Sequence, residues 1–125
     1  MSDETRQSFA FSKARRLTRS AEFLRVRSEG WVHRGSLMIL GVLEPGTDAQ
    51  SPSRAGFVTS KRIGGAVVRN RVRRRLREIV RRNQHELRPG IWLVVIARPS
   101  AARASYRALE DEWLRLAKRA FILAP

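Results

Sequence analysis

The sequence predicts a single α+β domain in which helices pack on a mostly antiparallel sheet, with the element order α-β-β-β-α-β-α. Three observations lead to this fold class. The chain has 125 residues, which suits one domain of ordinary size. Of these residues 42% are hydrophobic, enough to build a buried core. Finally, stretches with the helical period alternate with short apolar runs that are typical of strands.

The beginning of the chain is polar and has no clear apolar period. We therefore expect residues 1–16 to form a flexible basic arm and residues 17–125 to form the folded domain. A short first helix should follow the arm, with Thr18 or Ser20 as its N-cap. Glu22 would lie in its first turn, where the helix dipole favours an acidic side chain.

Four segments account for the predicted strands and their connections. Residues 31–43 are apolar enough for one or two strands. Residues 44–53 form a loop rich in Pro, Gly, Ser, Asp and Thr, which we expect to join two antiparallel strands. The next strand should cover residues 55–59. The run at residues 91–97 is continuously apolar, which is typical of a strand buried on both faces.

A long amphipathic helix is predicted over residues 66–87, and it should connect the strands at 55–59 and 91–97 as a βαβ crossover. At about 100° per residue, one stripe of this helix is apolar; it consists of Val68, Val72, Leu76 and Ile79. The opposite side is mainly cationic; it carries Asn70, Arg73, Arg74, Arg77 and Arg81. A last amphipathic helix should begin near Ser105.

The charge of the chain points to a polyanionic partner. Lysine and arginine number 26 against 11 acidic residues, which gives a net charge of +15. Residues 61–82 contain ten of the basic side chains and a single acidic one, Glu78. Because each neutralised phosphate releases counterions, nucleic acid is the leading candidate, and an anionic membrane surface is the weaker one. No apolar run of about 18 residues predicts a membrane-spanning helix.

The sequence offers few groups for catalysis. Cysteine is absent, which excludes disulfides, thiolate metal sites and thiol nucleophiles and is compatible with the cytoplasm, where we expect the protein to work. The two histidines, His33 and His85, lie far apart in the chain. The acidic group at residues 110–112 has no histidine beside it, and we interpret it as a solvated helix face rather than a metal site. We expect no catalytic residue, metal site or cofactor in the protein itself.

The segment at residues 59–78 carries the most specific motif. It contains a Ser-Lys-Arg turn (residues 60–62), a Gly-x-Ala-Val step (residues 64–67) and an Arg-Asn-Arg triplet (residues 69–71) that opens the basic helix. This segment closely resembles the signature of the bacterial ribonuclease P protein subunit. An Arg-Leu-x-x-x-x-x-Phe start that ends at Phe23 and an Ile-Ala-Arg strand end are also similar to that family. The resemblance covers about residues 15–122.

The resemblance implies a fold and a function. That family has an α-β sandwich related to a ribosomal-protein domain, with a left-handed βαβ crossover, whereas the general rule predicts a right-handed one. The family's protein assembles with a catalytic RNA, which we expect here as a 1:1 holoenzyme. The RNA, with bound Mg²⁺, acts as the endoribonuclease that removes the 5′ leader of precursor tRNA. The protein subunit assists by binding the catalytic RNA and the leader.

The resemblance also implies two sets of site residues. The residues expected to bind the catalytic RNA are Lys61, Arg62, Arg69, Asn70, Arg71 and Arg74. The residues expected to line the leader groove, between the first helix and the sheet, are Phe23, Arg27, Arg73 and Arg77. Aromatic stacking on unpaired bases, with cations for the backbone, is the chemistry that such a groove needs. This chain has Arg27 and Gly41 where relatives often have aromatics, and Trp31 is a candidate to compensate.

Other interpretations fit part of the same evidence. A non-catalytic RNA-binding module of ribosomal-protein type, or an RNA chaperone, would show the same charge without a role in tRNA processing. A DNA-binding domain would too, although no helix-turn-helix pattern supports it. Phe23 could also be an ordinary core residue, and Trp92 and Trp113 are expected in the core.

Overall fold

The structure, a computed structural model, describes residues 15–46 and 50–124. The expected arm at residues 1–16 lies outside these ranges except for its last two residues. The elements follow the predicted order: α1 (Ser20–Glu29), β1 (Trp31–Arg34), β2 (Met38–Leu43), β3 (Arg54–Val58), α2 (Ala66–Asn83), β4 (Trp92–Ala97) and α3 (Tyr106–Arg119). Short 3₁₀ turns occur at Lys61–Ile63, Gln84–Glu86 and Pro99–Arg103.

The four strands form one sheet in the order β1-β2-β4-β3. The β1–β2 and β2–β4 pairs are antiparallel, and the β3–β4 pair is parallel. The segment at residues 31–43 therefore forms two strands. The predicted βαβ crossover is confirmed, because α2 connects the neighbouring parallel strands β3 and β4. The loop after β2 joins strands of opposite direction as expected, but β4 lies between them in the sheet.

Helices cover both faces of the sheet, which makes the α+β sandwich expected for the fold class. On one face, α2 and α3 bury the main core, in which Leu76, Trp113, Leu40 and Leu93 are all fully or almost fully buried. On the other face, α1 packs through the fully buried Val26. The second face is only partly covered, and α1 leaves the part around Ile39, Val94 and Ile96 open.

Two helix ends differ from the sequence prediction. The N-cap of α1 is Arg19 rather than Thr18 or Ser20. Glu22 instead reaches back to the residues before the helix, and its Oε1 accepts from the backbone N–H groups of Thr18 at 3.1 Å and Arg19 at 3.0 Å. Helix α2 ends at Asn83 rather than at residue 87, because the chain tightens into a 3₁₀ turn. The start of α3 is as predicted, and Ser105 Oγ accepts from the Ala108 N–H at 3.1 Å.

The interpretation of residues 110–112 as a solvated face is wrong for Glu112. This residue is only 3% exposed. Its carboxylate accepts hydrogen bonds from the backbone N–H groups of Ser36 (3.0 Å), Leu37 (2.7 Å) and Met38 (3.0 Å), and from Ser36 Oγ (2.8 Å). A Cβ on Gly35 would lie 2.6 Å from the Glu112 Cδ, so a glycine is needed there. Glu112 thus fastens α3 to the turn between β1 and β2.

Candidate nucleic-acid interface

The first part of the interface is the amino-terminal half of α2 and the turn before it. Three of the four residues of the predicted apolar stripe, Val72, Leu76 and Ile79, are at 1% exposure or less, and Val80 beside them is buried as well. Val68, at the amino-terminal end of the stripe, is only half-buried. The helix therefore presents its other side outward. The side chains exposed there or on the preceding turn are Lys61, Arg62, Asn70, Arg71, Arg74 and Arg77. Arg69 is half-buried, so it is less accessible than the other residues expected to bind RNA.

A glycine sets the geometry between the turn and the helix. Gly64 has a φ of +152°, which residues with a Cβ rarely adopt, and a Cβ there would lie 3.2 Å from the Val68 side chain. Its N–H donates to the Lys61 carbonyl, which closes the 3₁₀ turn. The chain can therefore enter α2 directly from a turn that displays two cations.

Arg71 on this surface and its half-buried neighbour Arg75 are oriented by neutral acceptors. Arg71 Nη2 donates to the Ala102 carbonyl at 3.0 Å, and Arg75 Nη1 donates to the Ala104 carbonyl at 3.1 Å. Glu78 is instead bonded to Arg81, one turn further toward the carboxyl end, and the hydrogen bond from Arg81 lowers the pKa of Glu78. Glu78 therefore does not neutralise the arginines of the Arg-Asn-Arg triplet.

The second part of the interface is an open groove. It lies on the sheet face against which α1 packs, over the part of that face that α1 does not cover. Its volume is about 640 Å³, and α1, the sheet and α2 all contribute to its walls. Three of the four residues expected in a leader groove line it, namely Phe23, Arg27 and Arg73. Arg73 is held against the groove because its Nη2 donates to Thr59 Oγ1 at 2.6 Å. The structure thus brings these sequence-predicted residues together in one place.

Phe23 is half-buried and stands between two cavities. It lines the main groove and also an adjoining cavity of about 230 Å³ that contains Arg16, Arg73 and Arg77. A Cβ on Gly56 would lie 2.5 Å from Phe23 Cζ, so the glycine makes room for the ring. Phe23 is therefore partly a packing residue and partly a groove wall.

Arg77, the fourth expected groove residue, lies in this adjoining cavity. Although much of the side chain is exposed, partial burial of its guanidinium lowers its pKa, and the nearby guanidinium groups of Arg16 and Arg73 lower it further. Three cations so arranged repel one another, and an anion placed among them would relieve that repulsion. The cavity therefore has the electrostatic character of a phosphate site.

The far end of the groove differs from the expectation. A further cavity of about 210 Å³ is lined by Arg27, Val32, Arg34 and Gly41, among others. Trp31 pairs with Val42, whose side chain belongs to the core on the opposite face, so Trp31 cannot compensate for Gly41 inside the groove and that expectation is wrong.

Sequence reasoning missed Arg34 and Leu24 as groove residues. Arg34 lines the far cavity, and Leu24 lines the main groove with 66% of its surface exposed. The two-residue period of β1, in which Val32 and Arg34 share a face with Gly41, is the signal that could have located Arg34.

The fold and these two surfaces define a class: a small basic α+β protein with a cationic helix beside a groove that has an apolar floor. Such a combination is suited to holding single-stranded nucleic acid. No helix within residues 15–46 and 50–124 is long and apolar enough to cross a membrane. The same residues contain no group of three or more His, Asp or Glu side chains that could hold a metal ion.

Comparison with known proteins identifies the family. The model of the Ribonuclease P family matches residues 11–121. The chain is 46% identical over 99 residues to the ribonuclease P protein component of Beutenbergia cavernae, covering 79% of this chain and 82% of that one. It is 40% identical over 109 residues to the protein of the same name from Gluconacetobacter diazotrophicus, covering 86% and 92%.

Solved structures agree with the family match. The RNase P protein of Thermotoga maritima superposes with a TM-score of 0.73 at 30% identity, covering 83% of this chain and 96% of that one. The Staphylococcus aureus RNase P protein gives a TM-score of 0.80 at 23% identity, over 89% and 99% of the two chains, and supports the fold alone. The chain belongs to the ribonuclease P protein family. That membership gives it a role in tRNA 5′ processing together with an RNA subunit.

Proposed function

We propose that this protein is the non-catalytic subunit of ribonuclease P, in a cytoplasmic 1:1 complex with the RNA subunit that performs the cleavage. The RNA subunit supplies the Mg²⁺ sites, and the protein binds no cofactor of its own. The amino-terminal half of α2 binds the RNA subunit, and the groove beside α1 binds the 5′ leader of precursor tRNA. The protein then raises substrate affinity and lowers the Mg²⁺ requirement.

The groove is the observation that carries the proposal. Its floor is formed by apolar side chains of the sheet, including Ile39, Val94 and Ile96, and its walls carry Phe23 and Arg73. Unpaired bases gain free energy by stacking on an aromatic ring and by covering apolar surface, while arginines neutralise the phosphates. A duplex offers no free base faces, so the groove is suited to a single strand such as a tRNA leader.

The basic helix supports the other half of the proposal. Lys61, Arg62, Arg71 and Arg74 are exposed on the turn and first turns of α2, away from the groove's apolar floor. A surface with many cations and few apolar side chains recognises phosphates of a folded RNA rather than base faces. The two surfaces therefore differ in chemistry as two RNA ligands would require.

Reconstitution tests the proposal. The purified chain, combined with the ribonuclease P RNA, should stimulate cleavage of precursor tRNA at low Mg²⁺, and a protein that gives no stimulation would refute it. In the same complex, Phe23→Ala should weaken precursor tRNA binding about five-fold or more, because stacking on an aromatic contributes about 1–3 kcal/mol per base. Binding of mature tRNA, which has no leader, should not change.

Two arginines on α1 provide a matched pair for the groove. Arg27 lines the groove, whereas Arg25 lies over the Trp92 ring and pairs with Glu29. Arg27→Ala should weaken binding of precursor tRNA more than binding of mature tRNA, and Arg25→Ala should affect neither. Equal losses for the two tRNAs with Phe23→Ala and Arg27→Ala would show that the groove does not bind the leader.

A further inference from the structure

A second exposed aromatic lies far from the groove, directly after α3. Phe121 has 78% of its surface exposed, more than any other aromatic side chain within residues 15–46 and 50–124. It borders an open cavity of about 560 Å³ whose other lining residues are Arg88, Lys118, Leu123 and Ala124. A large apolar ring in solvent contributes nothing to the core, so its presence calls for another reason.

The backbone at Phe121 makes the choice of a bulky residue still more unusual. Its φ is +57°, in the left-handed region, and no other non-glycine residue of the described chain has a positive φ. The N–H of Phe121 donates to the Lys118 carbonyl, and the N–H of Ile122 donates to the Ala117 carbonyl. These two bonds form a Schellman motif, in which glycine is the usual residue at the left-handed position.

The surrounding chain holds this conformation in place. Ile122 is fully buried, its carbonyl accepts from the Arg88 N–H at 2.8 Å, and Leu123 bridges to Leu87. The turn is therefore fixed by its neighbours, and the Phe121 ring is directed outward by a rigid backbone. Glycine would fit the turn with less backbone strain and would expose no apolar surface. The phenylalanine therefore costs stability in two ways, through the strained backbone and through the solvent-exposed ring.

The charge around the ring indicates what it contacts. Lys118 and Arg119 are both exposed in the last turn of α3, and neither takes part in an ion pair with the described residues. Arg88 lies across the cavity and pairs with Glu44 at 3.1 Å. If a second copy of this chain packed against Phe121, two such basic edges would face each other, and each chain has a net charge of +15. Electrostatic repulsion disfavours that contact. Phosphates beside an unpaired base are the better complement.

We propose that Phe121 is a second RNA-contacting platform, on which an unpaired nucleotide of the ribonuclease P RNA subunit stacks while Lys118 and Arg119 contact its phosphates. The proposal rests on the proposed function, because it assumes that the chain binds that RNA. It assigns the contact to the RNA subunit, since the leader groove lies on the opposite face of the sheet from α3. The rigid Schellman turn orders the ring before the RNA arrives, which lowers the entropic cost of binding.

The test uses the full chain and the RNA subunit without tRNA. Phe121→Gly removes the ring and suits the left-handed backbone, so the thermal midpoint should stay equal or rise. Affinity for the RNA subunit should fall about five-fold or more, the loss expected when one base no longer stacks. Phe121→Trp should restore most of the affinity, because it returns an aromatic face.

A photo-crosslinking variant identifies the occupant directly. Phe121→p-benzoylphenylalanine should crosslink to the RNA subunit in the complex. Unchanged RNA affinity of Phe121→Gly, or a crosslink that forms only between two copies of the chain, would overturn the inference and leave the proposed function intact. If the unmodified chain fails to bind the RNA subunit at all, both the inference and the proposed function are refuted.

Discussion

Glu112→Gln tests whether one buried carboxylate fastens α3 to the β1–β2 turn. The replacement keeps the size and shape of the side chain but removes its charge and converts one acceptor oxygen into a donor NH₂ group. In the native protein Oε1 accepts from the Ser36 N–H and hydroxyl, and Oε2 accepts from the Leu37 and Met38 N–H groups. In the most favourable orientation of the amide, the Ser36 hydroxyl turns to accept from the new NH₂ group. The Ser36 N–H then loses its partner.

The magnitude follows from these four bonds. Leaving a buried N–H without a partner costs about 1–3 kcal/mol. The two bonds that remain change from charged to neutral acceptors, and each loses about 1 kcal/mol. The expected decrease in the free energy of unfolding is therefore about 3 kcal/mol or more. That is a large part of the 5–15 kcal/mol typical of a whole domain.

Urea unfolding followed by tryptophan fluorescence measures the effect, since the fully buried Trp113 adjoins Glu112 on α3. The midpoint should fall by roughly 1–3 M urea for a loss of that size. Asp111→Asn is the matched control, because this neighbour is exposed and its replacement makes the same charge change. The control should stay within about 0.5 kcal/mol of the unmodified protein. If Glu112→Gln is no more destabilising than the control, the four hydrogen bonds do not support the fold.

Two further predictions concern charge. Arg71→Ala should reduce the slope of log K against log salt for binding the RNA subunit by about one, whereas Arg25→Ala should leave it unchanged; equal slopes for both variants would place Arg71 away from phosphate. Burial raises the pKa of Glu22, but two backbone N–H groups and the Arg54 guanidinium outweigh burial, so its folded pKa lies below 4.5. The stability that ionised Glu22 contributes is therefore complete above pH 4.5 and is lost as the pH falls through the folded pKa. Urea unfolding at several pH values should show Glu22→Gln less stable than the unmodified protein at neutral pH and equally stable in strong acid. A difference that does not change with pH would contradict this assignment.

The features that sequence predicted well are those set by local periodicity. The buried stripe of α2, the start of α3 near Ser105 and the strand at residues 91–97 each depend on residues a few positions apart, so the pattern alone determines them. The groove residues came from the family resemblance, and the structure does bring Phe23, Arg27 and Arg73 together. Their binding roles remain predictions.

The features that sequence did not reveal depend on distant partners. Glu112 looks like a surface acid in the sequence, and only the turn 76 residues earlier in the chain explains its burial. Whether Trp31 faces the groove or α3 depends on strand register, since a shift of one residue exchanges the two faces. Similarly, nothing local to Phe121 predicts a left-handed backbone, because the antiparallel contact with residues 86–88 fixes the turn.

The way in which the arginines are held explains how so basic a surface can be ordered before RNA is bound. A carboxylate partner would fix a guanidinium group but cancel its charge, and a phosphate would have to compete with that carboxylate. Arg71, Arg75 and Arg73 are held instead by two backbone carbonyls and the Thr59 hydroxyl. These neutral acceptors restrict the side chains while each keeps its full positive charge and further N–H donors. Folding has therefore already met the entropic cost of ordering these arginine side chains, and the favourable free energy of pairing them with phosphate remains available for binding.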